Sequence, residues 1–131
     1  MKLLYLFLLI LPLSFVFTIA GDPIDKTAGL IKSGNIHELS QTFSPNVELT
    51  VMGEGDVYPK TQAEQILTDF FKRNQPRSYR MLHRITSNAN YRFAVLILTT
   101  YNGVYRISFS LKKNKEEFEL NELRIEGEKT N

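Results

Sequence analysis

The chain has 131 residues, with 16 basic and 14 acidic side chains, a formal charge of +2 and no cysteine. That length holds one domain at most. The missing cysteines exclude a disulfide framework, a thiolate metal site, a cysteine nucleophile and an acylated lipoprotein anchor. A charge so near neutral, with acids and bases alternating along the chain, excludes the concentrated basic field that nucleic acid requires.

Residues 1–20, "MKLLYLFLLILPLSFVFTIA", begin with Lys2, continue as an apolar run and end on the small residues Thr18 and Ala20. A basic start, an apolar middle and a small-x-small end are the pattern of a secretory signal peptide cleaved after Ala20. The rival reading is a retained anchor. Pro12 and the small residues argue for cleavage, which leaves no stable membrane anchor. Residues 21–131 are then a single exported domain, periplasmic or secreted, with a modest core held by packing alone.

Asp22-Pro23 is a helix start, an Asp cap followed by proline at the first helical position. Ile24, Ala28 and Ile31 share one side of this helix, and Ser33-Gly34 stops it. Asn35 caps a second short helix with Glu38 as its reciprocal partner. Ile36, Leu39 and Phe43 form its apolar face, and Ser44-Pro45 ends it. "NVELTVMG" alternates Val47, Leu49 and Val51 against polar neighbours and reads as a strand. "MGEGDVYPKTQ" then reads as a glycine-rich corner. It lacks the spaced oxygen ligands of a calcium loop and the terminal Gly-Lys-Ser/Thr of a phosphate-binding loop. No metal and no cofactor is expected.

A long helix is expected from Thr61 to Asn74, with a Thr61–Glu64 capping box. Its apolar stripe is Ala63, Ile66, Leu67, Phe70 and Phe71. Beyond Ser78 come four β-type runs, "SYRMLHRI", "YRFAVLILTTY", "GVYRISFSLK" and "EEFELNELRIE". Asn102-Gly103 predicts a type I′ hairpin in which Tyr101 faces Val104 and Leu98 faces Ile107. One sheet face would then carry Ala94, Leu96, Leu98, Thr100, Tyr105, Ile107, Phe109 and Leu111. The other is mixed, with Phe93, Val95, Ile97, Thr99 and Tyr101 beside Val104, Arg106, Ser108 and Ser110. An odd loop over Thr86–Asn90 puts Tyr79, Met81 and His83 on the mixed face, and an even one puts them on the apolar face. In the last run Phe118 and Leu120 differ in parity from Leu123 and Ile125, which predicts a bulge near Asn121-Glu122.

These elements make an α+β fold, with N-terminal helices and one long helix packed on a bent antiparallel sheet. The stretches "GNIHELSQTFSPNVEL", "VYPKTQAEQILTDFF" and "GVYRISFSLK" resemble a family of small exported bacterial proteins of unknown function. That family lies in the nuclear transport factor 2-like, cystatin-like cone superfamily. The resemblance runs from Ile24 to Ile125 and implies a cone with an open mouth, often paired as a homodimer through one sheet face. It supplies no catalytic motif, and the superfamily hosts enzymes, binders and interaction modules alike.

On the residues alone, the mixed face suggests a wall for a small organic ligand or a partner's peptide group. The cleft would lie between sheet and long helix, lined by Tyr79, Met81, His83, Tyr101 and Arg106, with Tyr58 near its mouth. Arg106 on a partly apolar face needs a carboxylate or an anionic ligand. His37, in the first turn of its helix, reads as exposed. Two alternatives stand beside the binding domain. One is a small hydrolase or isomerase-like enzyme using His83; the other is a dimerisation or interaction module with a vestigial pocket.

Overall fold

The computed structural model describes residues 21–129; the expected signal peptide lies outside them. Asp22 accepts the Ile24 amide at 2.8 Å and Pro23 needs no donor, so α1 runs Pro23–Ser33. Gly34, at φ +70°, closes it in the left-handed conformation that glycine adopts without strain. Asn35 then receives the Glu38 amide and donates to the Glu38 carboxylate, setting α2, Ile36–Ser40.

Phe43 opens β1, Phe43–Val51, rather than continuing the face of α2. Pro45 falls between Phe43 and Glu48, where the register against the neighbouring strand shifts and a missing amide is tolerated. The corner expected at residues 52–59 contains a strand. Met52 and Gly53, both at positive φ, turn the chain, and β2, Glu54–Pro59, pairs antiparallel with β1. A short run holding Gly55, Asp56 and Pro59 carries little strand signal; its partner β1 supplies the order.

The helix α3 spans Lys60–Arg73. Pro59 occupies its N-cap and no side chain caps it, so the expected Thr61–Glu64 box does not form. Glu64 points instead at α2, 2.8 Å from His37 Nδ1. Four strands follow: β3, Pro76–Asn88; β4, Tyr91–Thr100; β5, Gly103–Asn114; β6, Glu117–Gly127.

The strands form one bent, unclosed sheet in the order β2-β1-β6-β5-β4-β3, with β1 and β6 parallel and the other pairs antiparallel. Helices cover one face. Ile24, Ile31, Leu39, Leu67, Phe70 and Phe71 bury against Leu49, Leu96, Leu98, Ile107, Phe109, Leu123 and Ile125. The two faces of β4 and β5 divide as the alternation predicts, but the hairpin register is shifted by two residues. Thr100 pairs with Gly103 and Leu98 with Tyr105, so Tyr101 and Asn102 are the turn. Neither has positive φ; Gly103, at +151°, carries the unusual geometry. The reason is tertiary. Thr100 Oγ1 donates to the Gly103 carbonyl, Tyr101 N–H donates to Gln75, and the Asn102 amide donates to the Arg73 carbonyl at the end of α3.

The question of parity in β3 resolves as neither alternative. A register shift between Met81 and His83 puts Tyr79 and Met81 opposite Leu98 and Leu96, on the helix side, and His83 opposite Val95, on the outer side. The bulge in β6 is present: Ser110 faces Glu122 and Leu111 faces Leu120, leaving Asn121 as the extra residue. Its side-chain oxygen is buried without a partner.

Candidate functional site

The six expected wall residues do not converge. Tyr58, Tyr79 and Met81 are half-buried against the core on the helix side. His83 and Arg106 are exposed on the opposite, outer face. Tyr101 stands at the tip of the β4–β5 turn, 69% exposed, with the Arg77 guanidinium 5.0 Å from its ring centre. The expected cleft between α3 and the sheet is filled. Phe70 lies between Phe71 and Tyr105 in two edge-to-face contacts, each with 5.1 Å between ring centres, and the Tyr105 hydroxyl donates to Asn74 Oδ1 at 2.7 Å. Arg106 meets an internal carboxylate, its Nε donating to Glu128 at 3.1 Å.

Two grooves flank the helices. One, of about 460 Å³, lies between the start of α1, the end of α2 and the β5–β6 turn. The other, of about 630 Å³, lies between the α1–α2 corner and α3, and its rim carries His37 and Glu64. This is a histidine–carboxylate pair that the sequence spacing does not reveal, its members being 27 residues apart. The His37 side chain is 81% exposed, so the pair is a screened tie between α2 and α3. His37→Ala is expected to lower stability by less than about 1 kcal/mol, read from the urea midpoint at constant slope. No cluster of three metal-ligating side chains exists among the described residues.

At the far edge Arg84 meets Asp22 and Asp25 of α1. The hydrogen bond to Asp25 raises its pKa above the ordinary value, against an opposing effect of burial. It clips β3 to α1 and stays charged throughout.

The outer face has the more telling chemistry. Along β4 it carries Phe93, Val95 and Ile97, with Ile97 only 5% exposed. Arg80 and Arg106 flank Ile97 from the two adjacent strands. Nearer the β1 side, Glu48 of β1 and Glu122 of β6 are direct partners across the parallel pair. Like charges in facing positions of a sheet destabilise it. Tyr91 closes the apolar end, its hydroxyl donating to Ser110 Oγ at 3.1 Å. Arg80, Glu48 and Glu122 were not expected as site residues; the period-two alternation of their strands was the available signal.

With this geometry in hand, the chain can be set beside known proteins. The family model described as a domain of unknown function, DUF4783, matches residues 24–126. A crystal structure of a DUF4783 family protein from Bacteroides uniformis is similar at 23% identity and a TM-score of 0.78, covering 83% of this chain and 100% of that one. More distant folds of the same cone shape include a ketosteroid isomerase-like protein from Erwinia carotovora, at 12% identity and TM-score 0.66, covering 82% of this chain and 92% of that one. They also include a putative calcium/calmodulin dependent protein kinase II association domain from Xanthomonas campestris, at 15% identity and TM-score 0.60, covering 80% and 82%. Identities this low establish the fold alone. A comparison with curated proteins finds no match.

Proposed function

We propose that this chain, which belongs to the DUF4783 family of domains of unknown function, is an exported, non-catalytic interaction domain that pairs with a second copy through the outer face of its sheet. The leader-like N-terminus supports export. The exposure of His83, which has no carboxylate partner among the described residues, supports the non-catalytic part. The filled space under α3 supports a binding surface on the sheet exterior over one in an internal cleft.

One observation carries the reading: the adjacent Glu48 and Glu122 share a face with Arg80, which has no acidic partner among the described residues. A two-fold axis through the centre of this face, near Val95 and Ser108, brings Arg80 of each copy toward Glu122 of the other. Such an interface is self-complementary, and each contact occurs twice. The apolar strip of β4 lies at its centre, as interface cores require. The association domain from Xanthomonas campestris supports the same direction by analogy of fold.

The test is a charge swap. Sedimentation velocity of the unmodified domain should give a dimer. Arg80→Glu and Glu122→Arg should each weaken association at least about 100-fold, because each breaks two symmetric charge pairs. Combining both should restore the dimer. A monomeric parent, or a double variant that stays monomeric, overturns the proposal.

A further inference from the structure

The chain has seven arginines, and their partners divide them sharply. Arg84, Arg106 and Arg124 sit on carboxylates. Arg92 lies over the Phe118 ring and donates to two main-chain carbonyls. Of the four without an acidic partner among the described residues, Arg92 is one; the other three, Arg73, Arg77 and Arg80, fall within eight positions at the α3–β3 corner. Arg80 belongs to the outer face. Arg77 lies over the Tyr101 ring at the tip, and Arg73 ends α3 beside it, its carbonyl accepting from the Asn102 amide and its Nε donating to the Asp69 carbonyl.

A plainer account covers part of this. Lys72 and Arg73 complement the negative end of the α3 dipole, and Arg77 is half-satisfied by the Tyr101 ring. It leaves Tyr101 unexplained. This aromatic is 69% exposed, more than Met52, Val57, Ile85 or Tyr91. Nor is the tip loose, because Tyr101 N–H donates to Gln75 at 3.1 Å and Asn102 donates to Arg73. An amphipathic ring held outward on a rigid turn, with the Arg77 guanidinium over it and Arg73 at the adjoining helix end, fits a boundary where apolar matter meets a layer of negative charge.

We infer that this tip docks reversibly on an anionic phospholipid surface, Tyr101 entering the headgroup layer while Arg73 and Arg77 lie against the phosphates. No described helix is long and apolar enough to cross a membrane, so the contact is peripheral. Each basic residue near an anionic leaflet contributes about fivefold in partitioning. The docking uses no residue of the proposed dimer face, so either idea can fail alone.

Vesicle flotation of the purified protein decides it. Binding is expected to vesicles rich in phosphatidylglycerol and not to phosphatidylcholine alone, and it should weaken as salt shortens the screening length. Arg73→Gln with Arg77→Gln should reduce partitioning about 25-fold, and Tyr101→Ser should reduce it further, with the thermal midpoint of each variant held as a folding control. Absence of binding to the anionic vesicles, equal binding to both vesicle types, or unchanged binding of the arginine variant overturns the inference. So does equal affinity for soluble polyglutamate, or a response of the Tyr101 and Arg77 resonances to inorganic phosphate without vesicle binding. The first would make the tip a general anion surface, and the second a free-phosphate site.

Discussion

Phe70→Ala should lower the unfolding free energy by about 3–5 kcal/mol, the usual cost of emptying a buried aromatic site. The site leaves little room for repair. Phe70 is 5% exposed and stands between Phe71 and Tyr105, in edge-to-face contact with both. Removing its ring deletes both contacts, each worth about 0.5–1.5 kcal/mol beyond simple burial. It also opens a void under α3, whose Leu67 and Phe71 are fixed by the same sheet. The Tyr105 hydroxyl is tied to Asn74, so that ring does not swing in to fill the space. Since a domain of this size has about 5–15 kcal/mol in all, the thermal midpoint should drop by more than about 12 °C. Scanning calorimetry at fixed pH measures it; a loss below about 1 kcal/mol would mean that α3 does not pack as described.

Gly103→Val tests the turn. Gly103 has φ +151°, a region from which a β-branched residue is sterically barred. Its carbonyl accepts from Thr100 Oγ1, and its Cβ position looks onto the Tyr105 ring at 3.5–3.6 Å. Either the strain is kept or the turn rearranges and breaks the ties from Tyr101 and Asn102 to α3. The expected cost is about 2–3 kcal/mol in urea unfolding. The type I′ geometry that Asn102-Gly103 suggests would make Gly103 a central turn residue and Tyr101 a strand residue. Cross-strand nuclear Overhauser contacts distinguish the two, since Leu98 faces Tyr105 here and would face Ile107 in the type I′ register.

Much of the fold was legible because it rests on local rules. Asp22-Pro23, Asn35 with Glu38, and the stripe of α3 fix three helices by capping and periodicity. The alternation of β4 and β5 sorted their side chains onto the correct faces even with the register off by two, because a two-residue slip preserves parity. What failed depended on contacts far along the chain. The strand β2 exists through β1, Glu64 is drawn from its helix cap by His37, and the bulge after Met81 separates residues that a regular strand would keep together. That bulge also dispersed the expected pocket. The mixed character of the outer face was readable, but the pairing of Glu48 with Glu122 depends on the parallel register of β1 and β6, which no local pattern encodes.

The placement of β6 has a temporal consequence. The last of the described strands lies inside the sheet, between β1 and β5, and is the one that joins the early elements to the late ones. A nascent chain therefore holds β1 with one edge bare until residues 117–127 arrive. Nothing made earlier substitutes for them, and the late hairpins have no route to β1 except through β6. Closure is consequently non-local and slow relative to helix formation. The sheet closes when β6 slots between β1 and β5.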